Sequence, residues 1–283
     1  MAKLTPANDA DAPVKLTGMK RLALRRLLLK LSLALTIIGP MLFIIAALGV
    51  KLGLWSWQFG LGTLSTKVGP LVLMIGAVVA ILALLSAVLI KPRKGIVIAV
   101  IGLLIPALAF GKLVKTKSTV AKLPFIHDIT TDTQNPPDFG KVVMTERAAV
   151  EGVNTADYIG KKAPSKSADG TPSEKLVSAL QTKAYPEIRP LILSESKDVV
   201  FGEALATAKA MGWSIKREEL STGLIDATDT TFWYGFQDDI TIRLRASEGG
   251  GTIVDVRSLS RVGGSDLGKN AARVGEFLER LSQ

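Results

Sequence analysis

Three long apolar runs occupy the first 110 residues of this 283-residue chain, and a polar segment follows them. The runs cover residues 27–50, 68–90 and 95–110. Because a helix rises about 1.5 Å per residue, about 20 apolar residues cross a hydrocarbon core of about 30 Å. The pattern therefore predicts a three-span membrane anchor over residues 27–112. The third run is the shortest and contains Pro106, so a buried helix of a soluble core is its alternative interpretation.

The polar segments around the anchor divide into three parts. Residues 1–26 are predicted to form a disordered, basic cytoplasmic tail. Residues 113–137 are predicted to be an extended juxtamembrane linker, because its Asn-Pro-Pro ending cannot continue a helix. Residues 138–283 are the predicted soluble domain. A cleaved signal peptide is the alternative for the first run, but the long polar lead and the second run close behind it favour an uncleaved anchor.

Hydrophobic periodicity in the soluble part indicates a mixture of strands and helices. Residues 158–173 are predicted to be a surface loop, and the Gly-rich residues 248–251 to join a hairpin. Helices are predicted over residues 198–211 and 267–281, and strands over 188–193, 213–215, 224–228, 240–245 and 252–258. This order predicts an α+β fold: three N-terminal transmembrane helices followed by a soluble domain with an antiparallel sheet covered on one face by two helices.

The charge of the chain is divided unevenly, and the division predicts its topology. Residues 1–122 hold 16 basic and 2 acidic residues, whereas residues 123–283 hold 19 basic and 23 acidic residues. The formal charge of +10 therefore belongs to the membrane part and is not a nucleic-acid signal. Basic residues lie before span one and between spans two and three, and such residues collect on the cytoplasmic side. The expected location is the bacterial inner membrane, multi-pass, with a cytoplasmic N-terminus and a periplasmic C-terminal domain.

Polar side chains alternate with apolar ones along two of the predicted strands. Ile240, Ile242 and Leu244 point to one face, so a ladder is predicted on the other, formed by Arg243, Arg245, Asp255 and Arg257, with Asp226 and Thr228 beside it. One interpretation is a solvated sheet face whose ion pairs contribute about 0.2–1 kcal/mol each. The other is a site for an anionic ligand or a partner protein.

The loop after the last strand is the densest group of candidate binding residues. Glycines allow close backbone approach, the start of a helix attracts anions, and basic side chains add positive charge. The candidates here are Arg257, Ser258, Arg261, Ser265, Asp266 and Asn270. A phosphate or carboxylate could be held there. The structural alternative is that Ser265 or Asp266 caps the last helix. The phosphate-loop and dinucleotide spacings are not present.

Three segments of the chain are similar to a known family. They are residues 124–137, which read Pro-Phe-Ile-His-Asp-Ile-Thr-Thr-Asp and end in Asn-Pro-Pro, residues 238–243, and residues 257–270 with the ending Ser-Arg-Val-Gly-x-Ser-Asp-Leu-Gly-x-Asn. Together they resemble the bacterial domain-of-unknown-function family 1499 over residues 123–283. The resemblance implies a membrane-associated or exported domain and carries no activity, cofactor or site residue with it.

The residue inventory gives little support to an enzyme. The chain has one histidine, His127, and no cysteine, so thiolate or multi-histidine metal sites are unavailable. A serine nucleophile could use His127, but the Gly-x-Ser-x-Gly motif is absent and an ordinary structural histidine is the alternative. No catalytic residue, metal site or cofactor is therefore predicted.

Two function classes remain. The preferred one is a membrane-anchored, non-enzymatic binding or assembly module whose partners are the lipid bilayer, an anionic lipid or small anion, or an envelope protein. It predicts that Arg257→Ala or Arg261→Ala leaves folding intact and weakens association. The alternative is a small hydrolase acting on an envelope or lipid substrate through Asp226, Asp255 or His127. A transport role for the spans is a third class, but no charge lies deep in spans two or three.

Overall fold

The computed structural model describes residues 12–167 and 169–283. The chain divides into two compact units at Ser118 and Thr119. Residues 1–11, part of the predicted disordered tail, lie outside the described residues. Residues 12–26 differ from the prediction, because they form the first turns of a long helix that continues into the first apolar run.

The first unit contains three helical segments that are long and apolar enough to cross a membrane. Helix α1 spans Ala12–Lys51, and a π-helical segment over Gln58–Val68 runs directly into α2, Gly69–Leu89. Helix α3 spans Ile96–Val120. The third run is therefore longer as a helix than its apolar stretch of residues 95–110 suggested, because Pro106 lies within α3 without ending it. The protein is membrane-associated.

Small side chains line the contacts inside the membrane unit. Ala46, Ala80, Ala83 and Ala99 are fully buried there, while large aliphatic side chains are exposed on the outside. Spans lack a hydrophobic driving force in lipid, so small residues let their backbones approach closely. Arg25 joins two parts of this unit, because its Nη1 donates hydrogen bonds to the carbonyls of Ile90 (3.0 Å) and Pro92 (2.5 Å).

The second unit is an α+β domain. Its helices are α4 (Lys141–Ala148), α5 (Val177–Ala184), α6 (Lys197–Ala210) and α7 (Lys269–Leu281). Its strands are β1 (Asp128–Thr130), β2 (Lys162–Lys166), β3 (Pro172–Leu176), β4 (Leu191–Leu193), β5 (Ser214–Glu219), β6 (Leu224–Thr230), β7 (Gln237–Ala246) and β8 (Thr252–Ser260).

Six of these strands form one antiparallel sheet, in the order β1-β8-β7-β6-β5. Strand β4 pairs with the start of β8, and β1 pairs with its end, so both share the same edge of β8. The register places Arg243 opposite Asp255 and Thr241 opposite Arg257. This matches the predicted separation of apolar and polar side chains onto opposite faces. Strands β2 and β3 form a separate hairpin.

The apolar face of the sheet packs against α6 and α7. Its core includes Val200 and Ala204 of α6 and Val274 and Phe277 of α7, all fully buried. The Phe277 ring stacks on Trp213, with ring centroids 5.3 Å apart. The antiparallel sheet with two helices on one face is therefore confirmed.

The polar face is also covered, which differs from the solvated face considered from the sequence. Residues 131–159, including α4, lie over it, and Phe139 and Val143 pack there against Leu259 of β8. Asp255 and Arg257 are consequently 0 % and 1 % exposed. This layer has no periodic pattern of apolar residues, because residues 131–159 contain only one short helix and contact the sheet largely through polar groups.

Three local predictions also differ from the structure. The linker predicted over residues 113–137 contains the end of α3 and strand β1, which joins the sheet. The loop predicted over residues 158–173 contains β2 and the start of β3, although its composition is polar. Strand β4 covers only the last three residues of the predicted strand 188–193. Strand β1 pairs with β8 far along the chain, whereas β2 and β3 pair with each other across a short turn, and local composition reports neither pairing.

Candidate functional site

The predicted ladder begins with two arginines that share one aspartate. Arg243 Nε and Arg245 Nε donate to Asp255 Oδ2 at 3.1 and 2.8 Å. Arg243 also donates to Asp132 Oδ2 at 3.0 Å, which ties the covering segment to the sheet. The Arg245 side chain is 42 % exposed, so it is the ladder residue most open to solvent.

Arg257 lies deeper and is enclosed on every side. Its Nε and Nη2 donate to the two carboxylate oxygens of Asp128 at 3.0 and 2.8 Å, and its Nη1 donates to the carbonyl of Pro137 at 3.2 Å. The guanidinium carbon lies 5.0 Å from the Phe139 ring centroid and 5.7 Å from that of Tyr158. Burial of its phenol raises the pKa of Tyr158. A bidentate ion pair between two aromatic rings leaves this guanidinium inaccessible to a ligand.

Arg261 forms a second internal network. It donates to both carboxylate oxygens of Asp239 (2.8–3.2 Å), to Glu146 Oε2 (2.7 Å) and to Gln237 Oε1 (2.9 Å). Arg147 also donates to Asp239, at 2.8 Å. Burial lowers the pKa of Arg147. Burial acts in the same direction on Arg261, but hydrogen bonds to Asp239 and Glu146 outweigh it and raise its pKa.

Ser258 and Asn270 lie on the opposite, helix-covered face of the sheet. Ser258 Oγ donates to Asn270 Oδ1 at 2.7 Å, and Arg273 of α7 donates to Ser258 Oγ at 3.1 Å. Arg273 also pairs with Asp238 at 2.6 Å. These polar groups connect the end of β8 to the first turn of α7, and each has its partner within the protein.

The loop before α7 is organised by Asp266. Its Oδ1 accepts from the amide of Gly268 and its Oδ2 from that of Asn270, both at 2.9 Å. Ser265 Oγ accepts more weakly from the amide of Leu267, at 3.3 Å. Burial raises the pKa of Asp266. Leu267 was predicted to lie in the last helix, but it has φ of 56° and precedes α7, so the loop amides are directed to Asp266.

The predicted binding residues are therefore distributed between two faces of the sheet. Arg257, Arg261, Ser258 and Asn270 are each less than 7 % exposed and are paired with other residues of the domain. Removing one partner of a buried ion pair leaves an uncompensated charge, which typically costs about 3–5 kcal/mol. This geometry gives Arg257 and Arg261 a structural role and disagrees with the expectation that their loss leaves folding intact.

A small cavity lies beside this network, between the start of β1 and the β2–β3 hairpin. Its volume is about 120 Å³, below the roughly 300–1,000 Å³ of sites for drug-sized ligands. Most of its walls are apolar, and its polar end carries an imidazole and an ammonium group. The lining residues are Phe125, Ile126, His127, Asp128, Lys161, Lys162, Ala163, Pro164, Val177 and Gly264. It could admit one small polar group with a short apolar attachment.

His127 and Lys161 form a direct hydrogen bond at the polar end. Lys161 Nζ lies 3.1 Å from His127 Nε2 and 3.3 Å from the carbonyl of Thr155, while His127 Nδ1 lies 3.1 Å from the carbonyl of Gly264. An ammonium can only donate, so Nε2 accepts and Nδ1 carries the proton. Burial lowers the pKa of His127, and the charge of Lys161 lowers it further. Burial also lowers the pKa of Lys161.

The carboxylates considered for hydrolysis do not reach this cavity. Asp226 pairs with Arg217 at 2.9 Å and accepts from the amide of Gly140, and Asp255 pairs with Arg243 and Arg245. Neither lines the cavity that contains His127. Within residues 12–167 and 169–283, no three His, Cys, Asp or Glu side chains are arranged to hold a metal ion.

Comparison with protein families decides the classification of this domain. The sequence model for a protein of unknown function, DUF1499, matches residues 128–281, which run from β1 to the end of α7. The chain belongs to the DUF1499 family. This confirms the family resemblance. A search of curated proteins finds no match.

The DUF1499 domain also presents a feature that the strand and helix patterns did not reveal. Residues 231–236, here named the aromatic turn, connect β6 to β7 and read Thr-Phe-Trp-Tyr-Gly-Phe. Phe232 is 73 % exposed and Trp233 is 54 % exposed. The sequence did contain a signal for this feature, because four aromatic residues lie within five positions between two predicted strands. Strand pairing does not explain so many aromatic residues at a turn.

Proposed function

We propose that this DUF1499 protein is a membrane-anchored, non-enzymatic binding module. Its ligand is an anionic group, a carboxylate or phosphate, attached to a short apolar segment. The group occupies the cavity at His127 and Lys161. The proposed site therefore lies away from the buried arginines. Its basic groups are His127 and Lys161, and the exposed Lys162 also lines the cavity.

The observation that carries the proposal is the set of groups that surround the side-chain nitrogen of Lys161. Its ammonium is partly buried, yet its neighbours are a neutral imidazole and a carbonyl oxygen. Among residues 12–167 and 169–283, no carboxylate lies within 4.0 Å of its Nζ; Asp128, the adjacent acid, pairs with Arg257. A buried charge without a counter-charge is costly, and an anion would supply one. Hydrogen bonds to charged groups contribute about 1.5–3 kcal/mol each.

His127 extends the same site. Its neutral form accepts from Lys161, so it offers no proton to a ligand at neutral pH. An anion bound at Lys161 would stabilise the imidazolium, since an opposite charge within about 4–6 Å favours the charged form. The imidazole would then become a second donor. Binding and protonation of His127 are therefore coupled, and each strengthens the other.

The hydrolase alternative has weaker support. Its three named groups are separated: His127 faces the cavity, while Asp226 and Asp255 are held by arginines beneath the covering segment. General acid–base catalysis requires a donor and an acceptor within reach of one reacting group. The apolar walls and the paired basic end favour holding a ligand over cleaving one.

We also infer that the N-terminus is cytoplasmic and that the domain is periplasmic. Basic residues collect on the cytoplasmic side of membrane spans. The contact from Arg25 to the carbonyls of Ile90 and Pro92 brings the basic start of α1 and the basic turn between α2 and α3 to one end of the membrane unit. Both segments then lie on the same side, and three spans put the domain on the other.

Because His127 is the only histidine in the chain, its imidazole resonances can report anion binding without overlap from other histidines. The full-length protein in detergent is titrated separately with inorganic phosphate and with sodium butyrate, and the imidazole resonances of His127 are followed by NMR at several pH values. A saturable change in chemical shift, with an increase in the pKa of His127 on binding, is expected for at least one probe. Phosphate and butyrate distinguish the two anion classes.

The matched variants are Lys161→Met and Lys166→Met. Lys161→Met removes the ammonium from the cavity and should abolish the saturable response. Lys166 is the last residue of β2, the strand that Lys161 directly precedes. It is exposed and does not line the cavity, so Lys166→Met should respond like the unaltered protein. The absence of a response to both anions, or an equal response in Lys161→Met, would contradict the proposal.

A further inference from the structure

We propose that the aromatic turn inserts into the interface of the bilayer in which the protein is anchored, so that the domain rests on the membrane surface. None of the residues of the aromatic turn lines the cavity at His127 and Lys161. We base the proposal on the geometry of residues 231–236 and on the position of the exposed aromatic side chains in the domain.

The aromatic turn is closed by its own hydrogen bonds. The amide of Thr231 donates to the carbonyl of Phe236 at 2.8 Å, and the amide of Phe236 donates to Thr231 Oγ1 at 2.9 Å. Gly235, with φ of 68°, permits the chain reversal and donates to the carbonyl of Thr231 at 3.0 Å. The turn therefore presents its side chains from a fixed backbone, at little further entropic cost on binding.

Its rings are arranged as two pairs. Phe232 and Trp233 meet edge to face with centroids 5.2 Å apart, and Tyr234 stacks on Phe236 with centroids 5.5 Å apart. Phe232 and Trp233 remain largely exposed despite this packing. Exposed apolar side chains grouped together mark a contact surface for a protein or a membrane.

The exposed phenylalanine and tryptophan side chains of the domain lie at one end of the sheet. Among the described residues from Thr119 onward, these are Phe125, Phe232 and Trp233. The aromatic turn precedes β7, whose Asp238 pairs with Ser260 at the end of β8. Phe125 precedes β1, which pairs with the same end of β8. Leu267, 52 % exposed, lies in the loop that follows β8.

Chain connectivity favours the bilayer as the occupant. The chain reaches the sheet at this end, and Phe125 follows the last residue of α3, Val120, by five residues. Five residues span at most about 17 Å. Tryptophan and tyrosine are enriched at membrane interfaces because their rings combine apolar area with a polar atom. Lys122 and Lys269, both exposed near this end, can meet anionic headgroups.

The absence of cysteine allows a site-specific test in the full chain. Phe232→Cys and, separately, Ile192→Cys are spin-labelled and reconstituted at low protein density in phosphatidylcholine–phosphatidylglycerol vesicles. Accessibility of each label to oxygen, which partitions into lipid, is compared with accessibility to a water-soluble nickel chelate. Ile192 is a matched control, because it is 66 % exposed and lies on β4, which pairs with the opposite end of β8.

The label at position 232 is expected to be accessible to oxygen and shielded from nickel, and the label at 192 to show the reverse. Nickel accessibility at 232 equal to that at 192 would overturn the proposal. Shielding of position 232 from both reagents would also overturn it and would indicate a protein contact.

A second measurement leaves the phenylalanine intact. Brominated lipids should quench more of the tryptophan fluorescence of the unaltered protein than of Trp233→Tyr. Equal quenched intensity in the two proteins would contradict insertion of the turn.

Discussion

Arg257 donates two hydrogen bonds to the carboxylate of Asp128, across 129 positions of sequence, and thereby joins the first strand of the DUF1499 domain to its last. Both side chains are 1–2 % exposed. The pair fixes β1 at the edge of β8, and the same guanidinium holds the covering segment through the carbonyl of Pro137. His127 directly precedes this strand, so the position of the cavity depends on the pair.

Arg257→Ala should destabilise the domain by about 3–5 kcal/mol, because it leaves the Asp128 carboxylate buried without a counter-charge. Urea unfolding of the full chain in detergent, followed by near-ultraviolet circular dichroism, measures the change. Arg280→Ala is the control: its pair with Glu276 is about half exposed and should contribute less than about 1 kcal/mol. Similar midpoints for the two variants would show that Arg257 is not structural.

Two glycine-to-alanine substitutions should change stability in opposite directions. Gly223 has φ of 70°, and an added Cβ would lie 2.5 Å from the carbonyl oxygen of Leu244, so Gly223→Ala should cost more than about 1 kcal/mol. Gly202 lies in α6 with open space around its Cα, so Gly202→Ala should stabilise by about 0.5–1 kcal/mol. Thermal unfolding of the full chain compares them. A lower midpoint for Gly202→Ala would refute the helix argument.

The stability of the domain should fall as the pH decreases below about 6.5, the ordinary pKa of histidine, in the absence of an anion. The pKa of His127 is lowered in the folded protein, so in that window the unfolded chain binds more protons than the folded one. Stability then rises with pH. His127→Gln should remove the part of the pH dependence of the unfolding free energy that His127 causes. The pKa of Glu146 is also lowered, but the contribution of this carboxylate appears at more acidic pH. If the unaltered protein and His127→Gln show the same dependence of stability on pH between pH 5 and 7, the prediction is wrong.

Cysteine labelling should report the proposed orientation without background, since the chain contains no cysteine. Ser56→Cys, between α1 and α2, and Gly249→Cys, between β7 and β8, should react with a membrane-impermeant maleimide in intact spheroplasts. Arg93→Cys, between α2 and α3, should react only after permeabilisation. The reverse pattern would place the domain in the cytoplasm, and a mixed pattern would contradict three spans.

Much of the architecture follows from residue patterns that act locally. Apolar runs of about 20 residues can be accommodated only as buried or membrane-spanning helices, so the anchor could be predicted without a structure. Alternation along residues 240–245 and 252–258 decided which side chains face the helices, because strand side chains alternate strictly. The same alternation correctly grouped Arg243, Asp255 and Arg257 on one face.

What covers that face depended on contacts between residues far apart in the chain. Each of these contacts involves at least one segment without a periodic signal: the burial of Arg257 between Phe139 and Tyr158, the networks at Asp239 and Asp255, and the contact of His127 with Lys161. The sequence does not show whether a charged side chain is hydrated or forms an ion pair with another residue. Only the tertiary structure supplies the partner. It places Arg257 and Arg261 in buried ion pairs within the domain, and the binding sites that we propose are therefore the cavity at His127 and Lys161 and the aromatic turn.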